Sequence, residues 1–359
     1  MTIKKISILG LGLIGGSISK ALKNSALELE LSAFDKSDIL EIALKEKSID
    51  RKLNTIEEAA DSDLIFLCLP VNASLKTFKA LIPNLKKGTI ITDVCGVKYP
   101  FQKIWDDSKS EGIYIGSHPM AGKEKSGYQN SDPLLLENSV YIVTQDLSSN
   151  EELQEFRKII EALGAKILHV PAKQHDLIAA SVSHLPQLVS VALVNTASLK
   201  TENYNFLDLA AGGFRDMTRI ASSDFEIWEP VLAENKTEII IAIDKFQYEL
   251  DRIKNNLKNN SLSEIKKSFS DARKSRDEIP QNTKGFLNPL HDIFVFVSDK
   301  PGVLSKITTE LFNHNINIKD IELLKIREGA GGTFRLSFES KVDADTANQI
   351  LTSHGFIIK

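Results

Sequence analysis

The chain contains little cysteine, and this scarcity excludes two classes of protein. Cys68 and Cys95 are the only two cysteines among 359 residues. Two thiols cannot supply a disulfide framework, and they suit the reducing conditions of the cytoplasm. They also lack metal-ligand spacing with any of the seven histidines, so we expect no metal site. We therefore predict a cytoplasmic protein in which both cysteines are small apolar fillers.

An excess of positive charge is also missing. The 44 Lys and Arg residues are outnumbered by 48 Asp and Glu residues, which gives a formal net charge of -4. Without a basic surface, nucleic acid is not an expected partner. Glycines interrupt the apolar run at the N-terminus, and no small-residue cleavage site follows it, so we expect neither a signal peptide nor a membrane partner.

What is present is an α/β pattern in three parts. In residues 1–171, short apolar strands alternate with helical segments, which predicts a Rossmann-like parallel sheet that binds a dinucleotide. Residues 172–284 have helical spacing and predict an all-helical domain for substrate binding and dimerisation. Prolines, asparagines and a glycine in 280–290 indicate a linker. Residues 289–359 return to strand spacing in the order βαββαβ, which predicts a ferredoxin-like fold.

A glycine motif follows the first predicted strand and opens a helix. Gly10, Gly12 and Gly15 form the pattern G-x-G-x-x-G, with Leu13 and Ile14 inside it. The first glycine permits a tight turn, the second lets the backbone approach a pyrophosphate, and the third allows helix and strand to pack closely. The helix N-terminus then faces the phosphate charge. The motif predicts a dinucleotide site.

Three later residues complete the predicted cofactor site. Asp35 ends the second strand, where an acid accepts hydrogen bonds from ribose hydroxyls and repels a 2′-phosphate. This favours NAD over NADP, although the neighbouring Lys36 would soften the preference. Pro70 and Asp93 follow or end two further strands and are expected to contact the cofactor as well.

Residues 116–127, GSHPMAGKEKSG, form the most informative segment. It is too polar and too rich in glycine for a core element, so we predict a loop. His118 lies downstream of the dinucleotide motif, where an enzyme that transfers hydride needs a base. A histidine before proline is by itself more often a surface or capping residue. In this context we predict that His118 is catalytic.

Two further motifs lie in the helical part. The sequence SHLPQ, residues 183–187, places His184 and Gln187 at a predicted helix start, where His184 has the alternative of a purely structural role. The sequence GGFRDMTRIA, residues 212–221, presents two arginines that suit a dicarboxylic substrate. Because one arginine of such a pair usually binds a local acid, we favour Arg219 over Arg215 as the ligand-binding residue.

The segments GSHPMAGKEKSG and GGFRDMTRIA resemble motifs of the prephenate dehydrogenases of tyrosine biosynthesis, and the resemblance spans nearly the whole chain. It implies NAD-dependent oxidative decarboxylation of prephenate to 4-hydroxyphenylpyruvate. By this resemblance His118 accepts the proton of the ring hydroxyl and Arg219 holds a substrate carboxylate. The other substrate-binding residues would be His184, Gln187 and Gly212.

The resemblance also implies supporting residues. Glu124 and Asp216 would form or lie near a gating ion pair, and Trp228 would approach the site of its own or of the other subunit. The family often has Gly-Ser-Val-Lys where this chain has Cys-Gly-Val-Lys, so Gly96 stands where a serine would support the catalytic histidine. A backbone group or water would then orient His118. The remaining histidines are expected to be surface or structural residues: His169, His175, His291, His314 and His354.

The C-terminal part resembles an ACT domain. The sequence DKPGVLSKI, residues 299–307, matches its strand-to-helix turn, where exposed amides suit an amino-acid carboxylate. The resemblance implies paired ACT domains that bind an effector, here tyrosine. The alternative is a dimerisation module without a ligand. The expected effector residues are Asp299, Pro301, Gly302, Val303, Leu304, Asn317 and Ile318.

Two other functions compete with prephenate oxidation. An arogenate dehydrogenase would bind a substrate with an ammonium group, for which the neutral Gln187 offers no acid, so prephenate is favoured. A catalytically silent regulator that binds NAD and an amino acid is the second alternative. The presence of both His118 and Arg219 argues against it. In each case we expect a homodimer.

Overall fold

The computed structural model describes residues 3–123, 125–200, 203–278, 290–298, 300–327 and 331–358. The chain forms two compact units, Met1–Lys267 and Ser268–Lys359. The predicted Rossmann-like sheet and most of the predicted helical domain thus belong to one unit, in which they contact each other directly.

The first unit contains an eight-stranded sheet in the order β3-β2-β1-β4-β5-β6-β7-β8. Its strands are β1 (Lys5–Leu9), β2 (Glu30–Phe34), β3 (Arg51–Lys52), β4 (Leu64–Leu67), β5 (Ile90–Asp93), β6 (Ile113–Pro119), β7 (Val140–Val143) and β8 (Lys166–His169). The six strands β1 to β6 are parallel to one another, and the strand order reverses between β1 and β4. The crevice at the carboxyl ends of β1 and β4 is the position where Rossmann folds bind ligands. The predicted Rossmann-like fold is confirmed.

The far end of this sheet differs from the expected parallel arrangement. Strand β7 extends the sheet but runs antiparallel to β6, while β7 and β8 are parallel. The segment between β6 and β7 contains only the short 3₁₀ turn Tyr128–Asn130 among its described residues. A parallel pair needs a long crossover, usually a helix, and without one the chain re-enters the sheet in the opposite direction.

Helices cover both faces of the sheet: α1 (Leu13–Asn24), α2 (Ser37–Lys45), α3 (Val71–Leu81), α4 (Tyr99–Asp106) and α5 (Glu151–Ala162). The central strands are buried on both sides. In β4, Leu64 and Phe66 belong to one core cluster, whereas Ile65 and Leu67 belong to the other. Successive side chains of a strand point to opposite faces, so a run of apolar residues without alternation predicts this double burial.

The helical part of the first unit follows β8: α6 (Ala172–Ala179), α7 (Leu185–Ala197), α8 (Gly212–Thr218), α9 (Phe225–Glu234), α10 (Lys236–Lys258) and α11 (Leu262–Asp277), the last of which continues into the second unit. A π turn at Ala180–His184 joins α6 to α7. The SHLPQ motif therefore lies inside a continuous helical stretch, not at a helix start as predicted.

This stretch, Ala172–Ala197, has the length and composition of a membrane-crossing helix. One such helix is weak evidence for a membrane, because a core helix of a globular protein meets the same criteria. Here its π turn packs against α10, and Ala180 forms a small buried cluster with Ile239 and Ala242.

The second unit has the predicted βαββαβ order: β9 (His291–Val297), α12 (Val303–Asn313), β10 (Asp320–Arg327), β11 (Gly331–Phe338), α13 (Lys341–Ser353) and β12 (Ile357–Ile358). Its antiparallel sheet has the order β10-β11-β9-β12. Both helices pack on one face of the sheet, where Val295, Ile307, Leu336 and Leu351 are buried together. The predicted ferredoxin-like fold is confirmed.

Candidate active site

The glycine motif forms the turn between β1 and α1. A Cβ atom on Gly15 would lie 1.9 Å from the carbonyl oxygen of Gly10, and Gly10 has a φ of 98°. The close packing of this turn therefore requires both glycines. A Cβ atom on Gly12 would meet nothing within 4 Å. The chain thus leaves room for a ligand at the N-terminus of α1, as a bound pyrophosphate requires.

The acid at the end of β2 lies against this turn. One carboxylate oxygen of Asp35 accepts a hydrogen bond from the backbone N–H of Leu11 at 2.5 Å, and the other accepts from that of Lys36 at 2.6 Å. Asp35 is half-buried, and Pro70 is exposed in the connection from β4 to α3. Leu13 and Ile14 are the first residues of α1. These positions fit a dinucleotide whose ribose lies beside Asp35.

The structure does not place Asp93 on the surface of the predicted cofactor crevice. Asp93 is fully buried at the end of β5. Its carboxylate accepts hydrogen bonds from the Lys98 ammonium, from the Tyr114 hydroxyl at 2.9 Å and from the backbone N–H of Cys95 at 3.0 Å. Lys98 is equally buried and also donates to the carbonyl of Ser117 at 2.6 Å. This buried ion pair therefore holds the residue that precedes His118.

His118 lies at the end of β6 and is half-buried, so the first part of the predicted loop is strand. Its Nδ1 is 2.9 Å from Nε2 of His175, and Nδ1 of His175 is 2.7 Å from a carboxylate oxygen of Asp176. His175 was expected to be a surface or structural residue. It is buried and contacts the predicted base directly.

Asp176 in turn connects α6 to the start of α4. Its two carboxylate oxygens accept hydrogen bonds from the backbone N–H groups of Lys98, at 2.7 Å, and Tyr99, at 2.9 Å. These residues open α4, so the carboxylate satisfies N–H groups that have no partner within the helix. The orientation of His118 is thus supplied by a side chain of α6 and not by the expected backbone group or water.

The surroundings keep His118 neutral. Burial lowers the pKa of His118 well below its ordinary value, and nearby His175 and Lys98 lower it further. A Cβ atom on Gly96 would lie 3.9 Å from Cε1 of His118, so Gly96 is next to the edge of the imidazole ring. A neutral imidazole can accept a proton at neutral pH, as a general base must.

His184 lies in the π turn and is buried close to the same cluster. Its Nδ1 is 3.2 Å from Nδ2 of Asn235, which also donates to the carbonyl of Asp176 at 2.8 Å. Burial lowers the pKa of His184 to about 4. The ring of Trp228 meets the His184 ring edge-on, with centroids 5.9 Å apart. Trp228 thus approaches the site of its own chain.

The π turn accounts for this arrangement. Nine residues of a regular α-helix make about two and a half turns, which would put His175 and His184 on opposite faces. A π turn accommodates one extra residue and rotates the following helix, and such turns are frequent at functional sites. Asn235 can therefore bridge Asp176 and His184.

The remaining substrate residues lie around α7 and α8. Gln187 is buried, and its amide donates to the carbonyl of Ile220 at 2.9 Å. It therefore ties α7 to the turn that carries Arg219, and its contact with a substrate stays a prediction. Arg219 and Gly212 are exposed at opposite ends of α8. Arg215 donates to the carbonyl of Ala210 at 3.3 Å.

Asp216 is exposed on α8, while Glu124, its expected companion in a gating ion pair, lies outside the described residues. Among the residues that the structure describes, no group of three or more His, Cys, Asp or Glu side chains is placed to hold a metal ion.

The sequence analysis missed three residues that the fold brings together: His175, Asp176 and Asn235. A signal for the first two was present, because a His-Asp pair lies in the first two turns of the helix that follows Pro171. No local pattern indicated Asn235, which lies 51 residues from His184 and 59 from Asp176.

The second unit contains a cavity of about 240 Å³ at the N-terminus of α12. Predicted effector residues Gly302, Val303 and Leu304 line it, together with Lys300 and Phe334. Pro301 and Asn317 are exposed and Ile318 packs against the core, and the structure does not bring these three residues to the cavity. Asp299 lies outside the described residues.

Comparison with known proteins assigns a family to each part of the chain. Residues 18–169 match the family model of the prephenate dehydrogenase nucleotide-binding domain, and residues 171–271 match that of the prephenate dehydrogenase dimerization domain. Residues 291–355 match the ACT domain.

Similar proteins cover almost the whole chain. A prephenate dehydrogenase of Lactococcus lactis subsp. cremoris is 34% identical over 353 residues, which are 97% of each chain. The prephenate dehydrogenase of Aquifex aeolicus, solved with hydroxyphenyl propionate and NAD+, is 28% identical with a TM-score of 0.69, covering 78% of this chain and 99% of that one. The arogenate dehydrogenase of Synechocystis is 28% identical with a TM-score of 0.67, covering 76% and 99%. The chain belongs to the prephenate dehydrogenase family.

Proposed function

We propose that this protein is an NAD-dependent prephenate dehydrogenase, which oxidises and decarboxylates prephenate to 4-hydroxyphenylpyruvate in tyrosine biosynthesis. One observation carries the proposal. A neutral histidine, His118, lies half-exposed at the carboxyl end of β6, at the sheet edge where the glycine turn opens α1. The base and the cofactor site therefore share one edge of the sheet, as the removal of a proton and a hydride from one carbinol requires.

The turn at Gly12 and the carboxylate of Asp35 would hold the cofactor. When bound, NAD takes up the hydrogen that leaves the carbinol carbon with its electron pair. His118 accepts the hydroxyl proton as the ring carbonyl forms. Loss of CO2 then sends the electron pair of the broken carbon–carbon bond into the ring, which becomes aromatic, and the oxygen takes the proton back from His118. The reaction consumes no other co-reactant.

Arg219 binds a substrate carboxylate in this scheme. Arg219 is exposed on the turn after α8, and Gln187 fixes that turn against α7. A guanidinium presents two parallel donors to a carboxylate, which orients the substrate as well as binding it. Correct orientation of the substrate lowers the activation free energy of such reactions substantially.

The test is the initial rate of NADH formation, measured by absorbance with prephenate and separately with arogenate. We expect turnover with prephenate and little with arogenate. In the variant His118→Asn we expect turnover to fall about 10²–10⁴-fold, the usual contribution of a positioned base, while NAD still binds. Faster turnover of arogenate would reassign the substrate. If neither substrate is turned over, the alternative of a catalytically silent regulator is favoured. If His118→Asn turns over prephenate at the normal rate, His118 is not the general base.

An amino-acid effector, tyrosine, is the proposed ligand of the ACT domain. The cavity at α12 supports this, because the helix N-terminus and Lys300 suit a carboxylate while Leu323 and Phe334 suit an aromatic ring.

A homodimer is proposed as well. Exposed apolar side chains on the helical part support it: Leu209, Met217, Phe225, Ile227 and Tyr248. Light scattering of the purified protein measures the oligomeric state. The cytoplasmic location remains a prediction from composition.

A further inference from the structure

We infer that His175, supported by Asp176, is the positioning residue that fixes the tautomer of His118 and leaves its Nε2 free to accept the substrate proton. The inference deepens the proposed function and rests on His118 being the base. It is carried by the chain of contacts from Asp176 through His175 to His118, with distances of 2.7 Å and 2.9 Å.

The direction of each hydrogen bond follows from the donors and acceptors available. An ionised carboxylate can only accept, so Nδ1 of His175 carries a proton toward Asp176. When His175 is neutral, its Nε2 atom is an acceptor, and Nδ1 of His118 must donate to it. Neutral His118 holds a single ring proton. Its Nε2 atom therefore has a lone pair and no hydrogen.

The same chain stabilises the proton once it has been taken up. Protonated His118 keeps its hydrogen bond to His175, and the carboxylate behind His175 offsets the new positive charge. Asp176 cannot rotate away, because the backbone N–H groups of Lys98 and Tyr99 hold its oxygens at 2.7 Å and 2.9 Å. His175 and Asp176 touch neither reacting atom. Their contribution passes through the ring of His118.

The structure also shows which variants separate this role from simple packing. Replacing Asp176 would disturb the start of α4 as well as the histidines, so His175 is the better target. His175→Leu removes both hydrogen bonds. His175→Gln keeps them, because its amide can donate to Asp176 while its oxygen accepts from His118. These two variants form a matched pair.

The first measurement is the tautomer of His118 in the full-length protein labelled with ¹⁵N-histidine at a pH where histidines are neutral. The His118 signal is assigned by its loss in His118→Asn. We expect the wild type and His175→Gln to carry the proton on Nδ1, and His175→Leu to carry it on Nε2. A wild-type proton on Nε2, or the same tautomer in all three proteins, overturns the inference.

The second measurement is the rate of prephenate oxidation by the same proteins. We expect kcat of His175→Leu to fall about 10²-fold or more, within the contribution of a positioned base, with KM changed only a few-fold. His175→Gln should recover most of this loss. Equal losses in both variants overturn the inference. If His175→Leu fails to fold, His175→Gln decides alone, because a proton on Nε2 or a kcat as low as that of His118→Asn contradicts the role. The tautomer measurement does not depend on turnover, so it stands even if prephenate proves not to be the substrate.

Discussion

At the scale of single residues, the two arginines of α8 and its following turn differ in their surroundings. Arg215 donates to the carbonyl of Ala210, and Arg219 begins the turn that Gln187 anchors to α7. We predict that Arg219→Ala raises KM for prephenate by roughly tenfold to more than a hundredfold, because a half-made charge-assisted pair costs about 1.5–3 kcal/mol. Arg215→Ala is the control and should leave KM near the wild-type value. Steady-state kinetics of both variants check this, and the opposite pattern would assign the carboxylate to Arg215.

Asp35 decides the choice of cofactor in our proposal. Its carboxylate is fixed against the glycine turn by the N–H of Leu11, where a 2′-phosphate would meet a negative charge. We predict that Asp35→Ser weakens NAD binding and raises the kcat/KM ratio of NADP to NAD. Kinetics with each cofactor at saturating prephenate measure the change. A wild-type enzyme that already uses both cofactors equally would show that Lys36 overrides the acid.

His184 makes the stability of the fold depend on pH. Its pKa is about 4 in the folded chain, against about 6.5 in an unfolded one, so the unfolded state binds more protons as the pH falls. Stability from this group is present above pH 6.5 and is lost between about pH 6.5 and 4, up to roughly 3 kcal/mol. We predict that His184→Gln makes the free energy of unfolding less dependent on pH in this range, by the equivalent of up to about one bound proton. Urea unfolding of both proteins from pH 8 to pH 4.5 tests it, and parallel curves would contradict it.

At the scale of secondary-structure elements, the connection from β5 to α4 depends on a buried ion pair. Lys98 and Asp93 are both inaccessible to solvent. We predict that Lys98→Met destabilises the fold by about 3–5 kcal/mol, because it leaves a buried carboxylate without its partner. Lys254→Met, which breaks an exposed pair with Asp251 on α10, is the control and should cost about 0.5 kcal/mol or less. Chemical denaturation measures both. Equal effects would show that burial of Lys98 has little energetic consequence.

The sequence predicted those elements whose pattern is local. The glycine turn, the parallel strands β1, β2, β4 and β5 and the βαββαβ order all follow from short apolar runs and their spacing. The direction of β7 could not be predicted, because an apolar strand carries no information about its orientation. The role of His175 was missed because its partner His118 lies 57 residues away. The π turn that rotates His184 has no sequence signal of its own.

At the scale of the whole molecule, the two compact units separate catalysis from the proposed effector site. His118, His184 and Arg219 all lie within Met1–Lys267, whereas the cavity at α12 lies in Ser268–Lys359. We predict that a chain ending at Asn288 keeps prephenate oxidation and loses any tyrosine inhibition that is non-competitive with prephenate. An allosteric coupling of this kind is typically about 1–3 kcal/mol.

The discriminating measurement is tyrosine inhibition of both chains at several prephenate concentrations. In the full-length chain, Lys300→Glu should weaken the non-competitive component without changing the uninhibited rate, because it reverses a charge at the cavity. Purely competitive inhibition that is identical in the full-length and shortened chains would leave the ACT domain as an assembly module only.

The hydrogen bond between His118 and His175 joins two segments that match separate family models. In evolutionary terms, the two segments cannot be exchanged freely between enzymes. A chimera that combines residues 1–170 with a helical segment lacking an acceptor at position 175 would still contain the glycine turn and Asp35, but its base would lose the imposed tautomer. We therefore expect recombination at the domain boundary to preserve activity only when the helical segment brings a hydrogen-bond acceptor at position 175.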